Sequence, residues 1–392
     1  MAQLPPELWH EILGHATFVF GELEERIYDP FCCPPAHELG LAIKGSQSSR
    51  YNFIHVSRAF YMLSIPHLYR TILVAGPISW KRFEQGLAFN QRRVCIQPNT
   101  LPNTSFIRSI HFLTAWALNG ELNGSMISLP NLTICRSTKT NILAYDAEIR
   151  HPFCIGIKAP RLRALEGVYH DARTCLHTAA HFPSLTYCTA TILHSNPTIR
   201  ELPYDGSPIR LEATTVGKEW PFHRELHLDP ARIRAIKMTE IRPDLSSLYT
   251  IGHQIQFLDI TSSHWCYRRP AIELSMLPAL ITLITDIAIT GYNWQLLDGQ
   301  IHKSLKRVGF TVQSRQQRHN VYRSHLRRFD CHRFPALEQI RLLEMPTCRR
   351  LVAQNPGRSA IWSSELGSRG VRLEAADGTL LVDLSSAAVC LP

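Results

Sequence analysis

From about residue 100 onward, a helix breaker followed by apolar residues three apart recurs along the chain, and this recurrence restricts the fold more than any other property of the sequence. The clearest copies are Pro160-Arg161-Leu162-Arg163-Ala164-Leu165, Pro183-Ser184-Leu185, Pro197-Thr198-Ile199-Arg200-Glu201-Leu202, Pro278-Ala279-Leu280-Ile281-Thr282-Leu283 and Pro335-Ala336-Leu337-Glu338-Gln339-Ile340. Leu226-His227-Leu228, Ile255 to Ile260 and Leu305 to Phe310 repeat the pattern without the proline. Anchored on Leu162, Leu185, Ile199, Leu226, Leu258, Leu280, Leu305 and Leu337, the steps are 23, 14, 27, 32, 22, 25 and 32 residues. A period of about 20 to 30 suits stacked leucine-rich units, because one strand with its return connection cannot bury its apolar side alone. Along each run alternate strand residues point into the stack and the others face a binding surface. Any mixed α/β protein also contains Pro-x-Leu tripeptides, and the uneven spacing leaves that alternative open.

The rest of the chain is compatible with such an array. At 392 residues, 45% hydrophobic and 19% charged, it has ample core material and does not read as disordered. The richest apolar stretch, Leu277 to Ile289, is interrupted by Thr282, Thr285 and Asp286 and is too short to cross a bilayer, so no membrane is expected. The start, Met1-Ala2-Gln3-Leu4-Pro5-Pro6-Glu7, lacks the basic and apolar regions of a secretory signal, and the eleven scattered cysteines suit reduced thiols. A cytoplasmic or nuclear location is the expectation.

The net charge of +10 is unevenly placed. Residues 301 to 350 hold twelve Lys or Arg against three acids, nearly the whole excess, whereas residues 1 to 72 hold seven acids against five bases. The two ends therefore suit different partners. Within the basic segment, Arg315, Arg318 and Arg323 lie around Tyr322 and could grip phosphate or an acidic partner. Such a run is more often a solvated face, so nucleic acid is not the expected partner.

Two helices are predicted near the N-terminus. Over Leu4 to Gly14, Pro6 suits the first turn and Glu7 the positive end of the helix dipole, while Leu8, Trp9, Ile12 and Leu13 form one apolar stripe. Over Tyr51 to Ile65, Phe53, Val56, Phe60 and Leu63 recur at three and four, and Pro66 marks the stop. Between them, residues 18–50 read as a long loop with one short helix around His37 to Lys44, because Pro30, Cys32-Cys33-Pro34-Pro35 and the serines at 46 to 49 all break regular structure. After the second helix, Leu68 to Val74 reads as a short extended run. At the other end, Gly370 to Asp383 carries an Asp-Gly between two strand-type runs and reads as a terminal hairpin.

Leu4-Pro5-x-Glu7-Leu8 with Ile12 and Leu13, followed by Val56-Ser57-Arg58-x-Phe60 with Leu63, Leu68-Tyr69-Arg70 and Ile72, resembles an F-box. The layout is similar to that of fungal F-box proteins with a degenerate leucine-rich tail. The fold class so implied is α/β: an N-terminal helical F-box over 1–74 with its internal loop at 18–50, then an irregular leucine-rich-repeat-like solenoid over 75–392 ending in a hairpin. The resemblance implies a non-catalytic subunit of a ubiquitin ligase complex. Its F-box would bind a Skp-type adaptor, and through it a cullin scaffold, while the tail captures an unknown protein substrate. Leu4, Pro5, Leu8, Ile12, Leu13, Val56, Phe60 and Leu63 are the candidate adaptor contacts. His227, Asp259 and Arg341, as outward strand positions, together with Arg315, Arg318 and Arg323, are the candidate substrate contacts. The gap from Gly14 to Tyr51 is longer than in compact F-boxes. The alternative is a leucine-rich interaction protein with a vestigial F-box and no ligase role.

No enzyme chemistry is expected. The sequence contains no G-x-S-x-G, G-x-x-x-x-G-K-[ST] or G-x-G-x-x-G. His10 and His15 are five apart, which turns the second about 140° from the first and excludes a zinc-protease helix. Cys175, His177, His181 and Cys188 match no zinc module, and no C-x-x-C occurs, so neither metal nor cofactor is predicted.

Overall fold

The computed structural model describes residues 4–33, 36–96, 102–113, 127–137, 157–166, 182–188, 213–216, 230–238, 250–261, 274–286, 301–311, 326, 332–354 and 356–388. It is an α/β protein of two compact units, residues 1–190 with 202–204 and residues 191–201 with 205–392.

The first unit opens with helices α1 (Pro6–Ala16), α2 (Ala36–Ile54) and α3 (Arg58–Arg70), followed by strand β1 (Thr71–Val74) and helix α4 (Pro77–Ile96). Strands β2 (Ser109–Phe112), β4 (Ile134–Ser137), β6 (Ala164–Glu166) and β7 (Tyr187–Cys188) then join β1, all parallel and paired in chain order, while β3 (Ile127–Ser128) and β5 (Ile157–Lys158) pair separately. Ile110, Phe112, Cys135 and Leu165 bury one face, and Trp80 of α4 packs on Phe112 at 5.9 Å.

The second unit holds β8 (Ala213–Val216), β9 (Ala235–Met238), β10 (Phe257–Asp259), β11 (Thr282–Asp286), β12 (Arg307–Thr311) and β13 (Gln339–Leu342), again parallel neighbours in chain order. Helices α5 (Met345–Gln354) and α6 (Pro356–Gly367) precede β14 (Arg372–Glu374), which adds to β13, and α7 (Leu381–Ala388) follows. Ile236, Leu258, Leu283, Val308, Ile340 and Leu373 form the inward row of these strands in one apolar core.

The recurring proline has a local cause. In Leu129-Pro130-Asn131-Leu132, Ala159-Pro160-Arg161-Leu162, Phe182-Pro183-Ser184-Leu185, Leu277-Pro278-Ala279-Leu280 and Phe334-Pro335-Ala336-Leu337, the fourth residue donates its N–H to the first carbonyl at 2.9–3.2 Å. Proline's fixed φ suits the second position of such a turn. The leucine that closes it is buried in every copy. The next two residues then both donate to a single carbonyl of the preceding unit: Ile281 and Thr282 to Gln256 O at 2.8 and 2.9 Å, Lys306 and Arg307 to Ile281 O at 2.9 and 3.0 Å. One copy substitutes a side chain for the carbonyl: Leu305 N donates to His302 Nδ1 at 3.1 Å, leaving the opposite ring nitrogen to donate to Leu277 O at 2.9 Å.

Several expectations need correction. The anchor in the Ile255 copy is Ile255, whose N–H closes the turn on Gly252, while Leu258 is the inward residue of β10. The short helix expected around His37 to Lys44 within the 18–50 loop is longer and runs from Ala36 to Ile54, because Leu39, Ile43 and Arg50 share one buried face while Ser46 bonds its hydroxyl to Thr17 O at 2.9 Å. The single helix expected over 51–65 is split, since Ser57 caps α3 by accepting from Phe60 N at 3.2 Å. Pro66 does not end α3, which runs to Arg70, where the guanidinium bonds Glu22. The terminal hairpin is reduced to one antiparallel bridge, Glu374 with Leu380, around Gly378 at φ 88°. The second run becomes α7, because Leu381 is needed in the core.

Candidate functional site

Helix α1 has two faces. Trp9 stacks edge-on against Phe60 of α3 with ring centroids 4.9 Å apart, and Leu13 is buried beneath. Beside them, at four-residue spacing, Leu4, Leu8 and Ile12 stand 43%, 43% and 45% exposed, and Pro5 is exposed next to Leu4. Of the other candidate adaptor contacts, Val56 lies exposed at the α2–α3 junction and Leu63 is half-buried. Leu13 is core rather than contact, because it is the α1 residue that meets the helical layer. Phe60 is largely engaged in holding α1. At the far end of the α1–α3 contact, His10 and His67 approach at 3.4 Å, and burial with Arg70 nearby lowers His67 to about 4.

The residues between α1 and α2 form a strap across the strands of this unit. Glu22 is its anchor: Arg50 Nη2 lies 2.8 Å from each carboxylate oxygen, Arg70 Nη2 lies at 3.1 Å, and the Thr71 hydroxyl of β1 also donates to it. Further along, Glu25 pairs with Arg163 at 2.9 Å and Tyr28 packs on Tyr187 of β7 at 5.2 Å. Asp29 ties the end of the strap by accepting from Phe31 N at 2.9 Å. Cys33 then reaches β4, where Arg136 Nη1 donates to its sulfur at 2.9 Å. The thiol donates to Gly21 O at 3.3 Å, and burial pushes it up to about 11, so it is a packed thiol and no nucleophile.

Beneath the strap runs a polar row. His111 of β2, Arg136 of β4 and Glu166 of β6 are register neighbours on one side of the sheet. Arg136 Nε donates to Glu166 at 2.6 Å; burial opposes its charge, but Glu166 and Cys33 raise it above the ordinary arginine value. Both ring nitrogens of His111 are buried without a hydrogen-bond partner, and burial, with Arg136 adjacent, lowers its pKa to about 3.

In the second unit the candidate substrate positions are internally engaged. Asp259 is buried, accepts from Thr261 N and Oγ1 at 3.0 and 2.7 Å, and lies 3.5 Å from Lys237 Nζ. Arg341 is buried against Glu374 at 2.7 Å, and Gln339 donates to the same carboxylate. Both occupy the face opposite the core row, as expected, yet their charges are neutralised within the sheet. His227, Arg315, Arg318 and Arg323, and the Cys175-His177-His181 group, lie outside the described residues.

Sequence reasoning missed the strap entirely: Glu22, Arg50, Arg136 and Glu166 are tens of residues apart in pairs that no local pattern reveals. A partial signal existed for the strand members. Arg136, Glu166, Asp259 and Arg341 each stand four residues after the turn-closing residue, Leu132, Leu162, Ile255 and Leu337. Among the described residues no group of three or more metal-ligating side chains occurs, and no helix is long and apolar enough to cross a membrane. No protein-family model matches the chain, and no curated protein matches it.

Proposed function

We propose that this protein is a substrate-recognition adaptor of an SCF-type ubiquitin ligase. It binds a Skp-type adaptor, and through it a cullin scaffold, by its helical head. A protein substrate binds the later part of the chain, read as a leucine-rich-repeat-like solenoid. The observation that carries the reading is α1: a helix fixed by Trp9 and Leu13 that leaves Leu4, Leu8 and Ile12 facing solvent in one stripe. Large apolar groups aligned in this way are costly to leave in water and mark a surface that meets a partner. The solenoid reading draws on the parallel, in-order strand pairing and on the same proline turn before β4, β6, β7, β11 and β13. In such a role the protein performs no bond chemistry. It raises the effective concentration of a substrate lysine beside a charged conjugating enzyme, in the cytoplasm or nucleus.

The test is co-purification of the full chain with a Skp-type adaptor, beside Leu8→Asp with Ile12→Asp. Both positions are exposed, so the double variant keeps its fold, as circular dichroism checks; a carboxylate in an apolar contact abolishes binding. Retention of the adaptor by wild type and its loss by the variant are expected. Folded wild-type protein that fails to bind replaces the ligase reading with that of a leucine-rich interaction protein carrying a vestigial F-box.

A further inference from the structure

Resting on that reading, we infer that the adaptor-binding surface extends past α1 onto the outer side of the strap, through Phe18, Phe20 and Leu23. These side chains are 65%, 52% and 42% exposed. Their exposure is imposed by the segment's own anchoring. Thr17, Val19 and Glu22 point inward and are buried, Thr17 O accepting from Arg50 at 2.8 Å and Glu22 being held by two arginines. With those positions pinned, the residues between them face outward, and Gly21 at φ 80° turns the chain so that Leu23 does too.

Chain geometry makes the strap side chains continuous with the α1 stripe. Ile12 is followed one turn later by Ala16, the last residue of α1, and Phe18 bonds its N–H to His15 O at 3.2 Å. Phe20 stands two residues beyond, at most about 7 Å along an extended backbone. The proposed strip therefore runs without a break along the chain from Leu4 to Leu23.

The area argues that a single partner covers both. A specific interface buries about 800 Å² per partner, a little over half of it apolar, or about 450 Å². At about 200 Å² for a full large side chain, Leu4, Leu8, Ile12 and Val56 together offer about 390 Å² at their observed exposure, still short of that figure. Phe18, Phe20 and Leu23 add about 320 Å² on the same scale, which brings the strip to the size a stable complex needs. The occupant is accordingly the Skp-type adaptor itself, and the insertion that separates this head from a compact F-box serves as additional docking area.

The experiment measures the Kd of the purified full chain for an immobilised Skp-type adaptor, comparing wild type, Phe20→Ser with Leu23→Ser, Leu8→Asp with Ile12→Asp, and Phe89→Ser. Phe89 is an equally exposed aromatic on α4, outside the strip. Circular dichroism and the thermal midpoint verify that each variant is folded. The expected result is a Kd at least fivefold weaker for the Phe20/Leu23 variant, no detectable binding for the Leu8/Ile12 variant, and no change for Phe89→Ser. A Phe20/Leu23 variant within fivefold of wild type, while the Leu8/Ile12 variant fails, overturns the extension and leaves the adaptor reading standing. Equal losses in the Phe20/Leu23 and Phe89 variants overturn it as well, by showing non-specific apolar adhesion. A wild-type chain that does not bind overturns both.

Discussion

Arg50 and Glu22, 28 residues apart in sequence, meet with one guanidinium nitrogen 2.8 Å from both carboxylate oxygens, and neither side chain is more than 2% exposed. The Nε and Nη1 of Arg50 have no partner of their own, so the carboxylate is what allows this cation to stay buried. Glu22→Gln therefore leaves Arg50 charged and largely uncompensated, and a loss of about 3–5 kcal/mol is expected in urea unfolding. Because the same carboxylate holds the strap, trypsin should cut the variant at Arg26 well before wild type. Equal cleavage rates would show that the strap is held by other means.

The pair Trp9 and Phe60 supplies a second test. Their edge-on contact at 4.9 Å attaches α1 to α3, together with the His10–His67 contact. Trp9→Ala should lower stability by about 2–4 kcal/mol and weaken adaptor binding indirectly, since an undocked α1 no longer presents its stripe. A variant with unchanged thermal midpoint would mean that Leu13 and the His10–His67 contact seat the helix without Trp9.

In the repeated turn, proline and leucine should differ sharply. Pro278 acts on the unfolded chain by restricting it, so Pro278→Ala should cost about 0.5–1 kcal/mol. Leu280 is fully buried in the core of the second unit, so Leu280→Ala should cost about 2–5 kcal/mol. Denaturation midpoints measured side by side decide the order, and a reversal would mean that turn geometry outweighs burial.

Acid should weaken the first unit through His111. Its folded pKa of about 3 lies below the ordinary 6.5, so the native state refuses a proton that the unfolded chain accepts. Stability is then full above about pH 6.5 and declines toward pH 3, by up to about 1.4 kcal/mol per pH unit. His67, lowered to about 4 and less buried, adds a smaller loss over pH 6.5 to 4. His111→Leu removes the larger share. Unfolding curves from pH 7 to 4 should be flatter for this variant than for wild type, and parallel curves would exclude the histidine as the cause.

The sequence carried the parts of this molecule that arise from neighbours along the chain. Pro160-x-Leu162 and Pro278-x-Leu280 were legible because turn chemistry and a buried leucine act within four residues, and helix α1 because helical spacing is local, although the one stripe expected of Leu8, Trp9, Ile12 and Leu13 divides into a seated pair, Trp9 and Leu13, and an exposed pair, Leu8 and Ile12. The helix at Ala36–Ile54 was legible only in its first half, around His37 to Lys44; its continuation was hidden by Ser46 to Ser49, whose low propensity is overridden when Arg50 gains burial on the same face as Leu39 and Ile43. The strap was hidden for a stronger reason. Arg136 meets Cys33 across 103 positions, and pairing at that distance leaves no trace in composition or periodicity. Asp259 and Arg341 were placed on the correct side of their strands by alternation, but their neutralisation by Lys237 and Glu374 depends on register between strands.

The shared carbonyl beside each turn has a consequence for how such a chain can change over generations. Gln256 O, Ile281 O and Lys306 O each receive two N–H groups from the following unit, which fixes turn and strand together as one rigid module of about six residues. An insertion inside a module would shift both donors off their acceptor and slip the strand by one, turning its core side chains outward. An insertion between modules changes neither. The length of chain from one module to the next is therefore free to drift, which accounts for a repeat whose local geometry is constant while its spacing is not.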